Sequence, residues 1–440
     1  MWKFKNAYSE IDAYRIEKIL MIINHLKQTY RNVSEVVTFY EEQGFNETNL
    51  CSLAAGIPGL IILTVELDSL FPEESWQKVG HEYVHRLQTL INNGNVYSLS
   101  LWSGLSGIAV STSMLARKNK NYAKMTDALH SFILSNLQQD IEHAIDNLYG
   151  HVDMFDYDCM EGLSGVGRYL LQYDDKESVS FTKAILNYLV TLCNKFNKKG
   201  DLVPGWYIPG SNQFLEEERI KYRQGNFNLS ISHGIVGPLS LLSSAYMKGI
   251  EVKGQLQAIE AICTFLERWK QHDHYGIVWP DRVSLEEYIA DSRIGDTINN
   301  ESWCYGIPGI CHALLLAANA LNDSNYESLA IRAYKEMMNR PIETWSLKSP
   351  TFCHGFAGFL YLLYKIHLKN GRKWNRNYID KALEAIFVEY NPKLAFGFQD
   401  YDHGPMQNPG LLVGTAGILL VLMSILKQED YEWDYIFLIS

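Results

Sequence analysis

Cysteine is scarce in this chain of 440 residues: seven occur, an odd number scattered from Cys51 to Cys353. The first residues, Met1-Trp2-Lys3-Phe4-Lys5-Asn6, lack the continuous apolar core of a secretory signal. Together these exclude a disulfide framework as the organising principle and point to reduced thiols in the cytoplasm. Most of the thiols are expected in the core, with Cys193 and Cys263, each inside an apolar helical pattern, as examples. A basic stripe is also missing. The 50 acidic residues outnumber the 39 basic ones, giving a formal charge of −11, so nucleic acid is not expected as a partner. Long hydrophobic runs are few. Pro409 to Leu426 falls near the lower limit for a membrane span and contains Gly410, Gly414 and Gly417, so it reads as a buried helix. No low-complexity tract or linker divides the chain, and residues 1–440 are expected to form one domain.

What is present is repetition. The pattern Gly-x-x-Gly followed by an apolar run occurs seven times, with its first glycines at Gly56, Gly104, Gly162, Gly234, Gly306, Gly355 and Gly414. Their spacings are 48, 58, 72, 72, 49 and 59 residues. About 50 residues accommodates two ordinary helices with their loops, so each repeat reads as one helical hairpin. The run after each glycine pair is apolar on nearly all sides, as in Leu60-Ile61-Ile62-Leu63, which marks a helix enclosed by neighbours. Intervening segments such as 326–343 and 378–390 mix charged and apolar residues at helical spacing, as an outer layer would. The expectation is an all-α fold, an α/α toroid of seven hairpins with seven inner and seven outer helices. Pro58 and Pro308 suit first-turn positions that need no amide donor. The two long spacings leave turn-rich, non-helical excursions near 198–232 and 272–302, expected to form a small, partly β insertion.

Reactive side chains cluster just before these glycine pairs. Asp158 lies four residues before Gly162, His233 one before Gly234, Cys304 two before Gly306, and Cys353 and His354 two and one before Gly355. In a closed toroid, parallel inner helices would bring their N-terminal loops to one mouth. Two cysteines and a histidine fit a zinc site with three protein ligands and one open position. Packing cysteines beside a capping histidine would give the same spacing, so the pattern alone leaves both readings open. Cys311-His312 repeats the dipeptide but lies after Gly309 within the apolar run, and reads as core. His233 with Asp158 suits a general acid or base, a carboxylate fixing the tautomer and favouring the charged imidazole. Helix capping is the alternative for each.

At these residues the chain resembles the lanthionine synthetase C family, the cyclases of lantibiotic biosynthesis. The resemblance spans the seven repeats, Tyr157-Asp158-Cys159-Met160-Glu161-Gly162-Leu163-Ser164-Gly165, Ser232-His233-Gly234-Ile235-Val236-Gly237-Pro238, Trp303-Cys304-Tyr305-Gly306 and Cys353-His354-Gly355. It implies that Cys304, Cys353 and His354 bind Zn2+, that His233 and Asp158 manage protons, and that the insertion is likened to an SH2 domain. It also implies a reaction, the joining of cysteine to dehydroalanine or dehydrobutyrine in a precursor peptide. The dehydrated precursor, leader and core, would be the substrate. A lantibiotic dehydratase and an ABC exporter would be partners that hold a cytoplasmic enzyme at the inner face of the membrane. One departure stands out. The family pattern has an arginine four residues before the first zinc-binding cysteine, proposed to act on the developing enolate, and here that position is Asn300. Tyr305, Asn300 and Arg293 are the candidates for that role. Two other readings share the architecture: a prenyltransferase-like enzyme that activates a thiol, and a non-catalytic adaptor that keeps zinc for structure. The first would need a basic diphosphate-binding cluster, and the sequence offers none at the mouth.

Overall fold

The computed structural model describes residues 11–118, 122–198, 200–294, 300–370, 376–402, 404–427 and 432–440. The N-terminal hexapeptide read for targeting, and positions 199 and 295–299 of the two excursions, lie outside the described residues.

Seven long helices open at the seven glycine pairs: Ile57–Leu70, Leu105–Lys118, Leu163–Leu170, Val236–Met247, Ile307–Leu321, Phe356–Asn370 and Thr415–Lys427. Their composition decides their setting. Of the helix Ile57–Leu70 only Asp68 and Ser69 escape burial, and of Thr415–Lys427 only Lys427 does. Pro58 and Pro308 each fall in a first turn, where the missing amide costs no hydrogen bond.

Seven amphipathic helices alternate with these: Ala13–Arg31, Trp76–Asn92, Ala123–Asn147, Lys176–Leu192, Gln255–Trp269, Ser324–Met338 and Arg376–Glu389. Trp76–Asn92 is typical, burying Trp76, Val79, Tyr83, Leu87 and Leu90 along one stripe. The seventh glycine pair opens the last long helix of the chain. Its neighbour is therefore the first, Ala13–Arg31, which packs against Thr415–Lys427.

The chain folds as two compact units. The first comprises Met1–Ser98, Trp102–His130 and Leu347–Trp433; the second comprises Leu99–Leu101, Ser131–Ser346 and Asp434–Ser440. In the first, Ile57–Leu70 packs on Leu105–Lys118 and on Thr415–Lys427, which packs on Phe356–Asn370. In the second, Val236–Met247 lies against both Leu163–Leu170 and Ile307–Leu321.

The glycine pairs have a common physical cause. Before each helix the chain makes a tight loop that folds back on the helix start. A Cβ on Gly56, Gly234, Gly306, Gly355 or Gly414 would collide with the carbonyl oxygen six residues earlier. The second glycines Gly165, Gly309, Gly358 and Gly417 meet the same constraint. Backbone bonds from Ile235 N to Asn228 O (3.0 Å), Ile307 N to Asn300 O (3.0 Å), Phe356 N to Ser349 O (2.9 Å) and Thr415 N to Asn408 O (2.9 Å) close these loops identically. Neighbouring loops are also laced together. In the second unit Cys159 N bonds Ser232 O and Ile231 N bonds Cys304 O, both at 3.1 Å. In the first, Cys353 N bonds Leu412 O (2.9 Å) and Leu412 N bonds Ala54 O (2.8 Å). Residues just ahead of the glycine pairs are thus held on backbone scaffolds.

The excursions carry the strands, all in antiparallel pairs. β1 (Lys195–Lys198) pairs with β2 (Asp201–Pro204), β3 (Asn226–Asn228) with β6 (Arg282–Ser284), and β4 (Gln271–His272) with β5 (Ile277–Val278). A short helix, Glu216–Lys221, lies between β2 and β3 in sequence. The β3–β6 register sets Asn228 opposite Arg282. Cys263 is buried in its helix as expected, but Cys193 caps the end of Lys176–Leu192 and is half-buried, because the helix stops there and β1 follows. Among the described residues no helix is long and apolar enough to cross a membrane.

Candidate active site

In the second unit the sequence-predicted pair is joined. Asp158 ends the short helix Met154–Tyr157 in extended backbone and is fully buried. Its Oδ1 accepts from the amides of Glu161 (2.7 Å) and Gly162 (2.8 Å), while its Oδ2 lies 2.7 Å from Nδ1 of His233. One oxygen of Asp158 thus caps the loop while the other grips the imidazole. His233 sits in the loop before Gly234, its amide donating to Ser230 Oγ at 2.9 Å. Its side chain is 31% exposed. Burial disfavours the charged ring, but the hydrogen bond and charge of Asp158, with Cys304 nearby, outweigh it and raise the histidine above its ordinary value.

Cys304 is almost buried, and its sulfur lies 3.4 Å from Ser302 Oγ. The turn is anchored from below by Trp303, fully buried, whose Nε1 donates to Phe437 O at 3.1 Å. Gly306 takes a φ of +109°, in the left-handed region, to turn the chain from this loop into the helix. Asn300 serves the same loop: its carbonyl closes onto Ile307 and its Oδ1 accepts from Ser302 N at 3.0 Å. Tyr305 Oη accepts from Asn228 Nδ2 and from a terminal nitrogen of Arg282, each at 3.1 Å. Burial pushes its phenol up, against the pull of Arg282 and Asn228. Arg293 is held by Glu287 (2.7 Å) and by the carbonyl of Arg282 (3.3 Å), away from Tyr305's hydroxyl contacts.

In the first unit, Cys353 and His354 precede Gly355, both half-buried. Nε2 of His354 lies 3.1 Å from Asp400 Oδ1. A carboxylate on one ring nitrogen is the usual means of fixing a metal-ligating histidine so that its other nitrogen faces the ion. Cys304, Cys353 and His354 each offer one ligand atom of a kind that suits zinc. Two thiolate donors, one imidazole and a carboxylate behind it fit that ion, so the group could bind a metal. Cys311 and His312, by contrast, are buried within Ile307–Leu321.

A model of the "Lanthionine synthetase C-like protein" family matches residues 47–438. The chain belongs to that family. Among the relatives of this lanthionine synthetase C-like chain is the nisin biosynthesis protein NisC of Lactococcus lactis subsp. lactis, 27% identical over 411 residues that cover 92% of this chain and 93% of NisC. A solved structure of a nisin cyclase superposes with a TM-score of 0.80 at 25% identity, covering 94% of this chain and 98% of that one. The fold is accordingly the all-α helical toroid of the family, as the repeats led one to expect.

Three residues of the site were not found in the sequence. Arg282 and Asn228 reach Tyr305 through the β3–β6 pairing, and Asp400 reaches His354 from an irregular segment 46 residues away. Arg282 and Asp400 have no equal offset from the glycine pairs, whereas Asn228 lies six residues before Gly234 as Asn300 does before Gly306 and Asn408 before Gly414, a recurrence that could have flagged it.

Proposed function

We propose that this chain is a zinc-dependent lantibiotic cyclase that adds cysteine thiolates to dehydroalanine or dehydrobutyrine, closing lanthionine and methyllanthionine rings in a dehydrated precursor peptide. The observation that carries the reading is the group Cys304, Cys353 and His354, which could hold a metal ion, in a chain of this family. Membership of the family and likeness to a nisin cyclase support the reaction class. A precursor peptide as substrate follows from the same likeness.

Cys304, Cys353 and His354 would hold the ion, with Asp400 keeping the His354 ring in place. Bound there, zinc would supply a substrate thiolate at neutral pH, where a free thiol with a pKa of about 8.5 is mostly protonated. Attack of that sulfur on the β-carbon forms the C–S bond and drives the alkene electrons onto the α-carbon and its carbonyl. A proton must then reach the α-carbon. His233 is the donor in this scheme: Asp158 engages Nδ1 and favours the charged ring, so Nε2–H is the proton to give. The hydrogen lost by the thiol is thereby balanced by the one gained at the α-carbon, and no further reactant is consumed. Tyr305, beside Cys304, is the group suited to donate a hydrogen bond to the enolate oxygen. Asn300 would hold the loop, and Arg293 would brace the Arg282 backbone.

Mutation tests the reading. His233→Ala and Cys304→Ala should each abolish ring formation on a dehydrated precursor, scored by mass spectrometry after thiol alkylation. Cyclisation at the wild-type rate in either variant would defeat the assignment.

A further inference from the structure

Arg282 is a cation placed by the fold at the heart of the polar cluster without a part in the scheme above. It is the first residue of β6, opposite Asn228 of β3. One of its terminal nitrogens donates to Tyr305 Oη at 3.1 Å and is paired with Glu218 of the helix Glu216–Lys221. Arg282 and Glu218 are largely shielded, with side chains 14% and 15% exposed. The guanidinium also lies over the Tyr305 ring, 5.3 Å from its centre. Asn228 has a fixed orientation, because its Oδ1 accepts from Ser230 N at 2.9 Å, and its Nδ2 must therefore be the atom that donates to Tyr305.

The phenol oxygen thus accepts a hydrogen bond from a cation and one from Asn228, with the Ser230 hydroxyl also bonded to it. A donor that is itself hydrogen-bonded by a charged group is polarised and donates more strongly. The charge of Arg282 also opposes that of a protonated His233, although Asp158 outweighs it. Among the residues weighed for this position, Asn300 spends its side chain on its own loop and Arg293 on Glu287.

We propose that Arg282 is a positioning residue of the reaction, held by Glu218, that fixes Tyr305 Oη and polarises its O–H toward the negative charge developing on the substrate carbonyl. The inference rests on the cyclase reading above. It assigns to a strand of the excursion a task in the chemistry, and it makes the β3–β6 pairing part of the catalytic frame.

The test measures single-turnover ring closure, substrate KM, zinc content and thermal midpoint in Arg282→Gln, Tyr305→Phe and the double variant. Since Arg282→Gln strands the Glu218 carboxylate, the paired change Glu218→Gln with Arg282→Gln guards against simple misfolding. The expected result is a loss of about tenfold or more in the closure rate with Arg282→Gln, with KM, zinc content and thermal midpoint kept in the paired variant. The double variant with Tyr305→Phe should be no slower than Tyr305→Phe alone, because the two act as one unit. Added guanidinium ion should partly restore Arg282→Ala. Additive losses, or a change confined to KM and thermal midpoint, would overturn the proposal. His233→Asn serves as the control. If it is inactive while Arg282→Gln closes rings at the normal rate, this inference alone fails; if it too is fully active, the cyclase reading falls and takes this one with it.

Discussion

Replacing Asp158 by asparagine isolates the electrostatic part of its work. The carboxylate makes three hydrogen bonds from a fully buried position, two to backbone amides and one to His233. Asparagine is nearly isosteric, so its carbonyl can keep the two amides, but it faces the imidazole with a neutral group. A charge-assisted bond contributes about 1.5–3 kcal/mol and a neutral one about 0.5–1.5. The difference, about 1–1.5 kcal/mol, corresponds to about one pKa unit. The sign follows from the raised value of His233. In the wild type the pair stabilises the fold fully below the ordinary histidine value of about 6.5, and that share is lost as pH rises through the raised folded value. The protonated donor disappears over the same interval, so ring closure should fall on the alkaline side. In Asp158→Asn that alkaline limb should move down by about one unit, read as cyclisation rate against pH between about 5 and 8. Asp158→Ala should show the same shift and in addition lose about 2 kcal/mol of stability, because two amides are left without their acceptor. An unmoved limb in Asp158→Asn, or one displaced upward, would refute the reasoning.

Asp400→Asn should weaken zinc binding by about 10–100-fold, measured by competition with a chromophoric chelator, because His354 loses the carboxylate that sets its ring. Gly306→Ala should destabilise the protein by about 1–3 kcal/mol in denaturant unfolding, since φ is +109° and the added Cβ would collide with the Asn300 carbonyl.

Much of this was legible in the sequence because the fold repeats one local solution. The glycine pair is forced by a loop carbonyl pressing on the helix start, and that contact recurs from Gly56 to Gly417. A pattern whose cause recurs in this way can be read without an alignment, and it carries Asp158, His233, Cys304, Cys353 and His354 with it by offset. Fully apolar helices such as Thr415–Lys427 declare their burial through the absence of a polar face. Arg282 and Asp400 were hidden for the opposite reason. Strand register brings Arg282 to Tyr305, and an irregular segment delivers Asp400 to His354, so no spacing in the chain encodes those meetings. Cys193 misled because an apolar helical pattern does not mark where its helix ends. Asp158 illustrates the limit of choosing between contacts, since one of its oxygens caps the loop and the other meets His233.

The central claim is that a metal held by Cys304, Cys353 and His354 enables thioether formation. The direct measurement is ring formation on a dehydrated precursor by the purified protein before chelation, after removal of bound metal, and after zinc is returned, with Cys304→Ala treated alongside. The account predicts that chelation stops ring closure, that about one equivalent of zinc restores it, and that the variant neither retains zinc nor recovers. Ring closure that continues undiminished in the metal-free protein would contradict it.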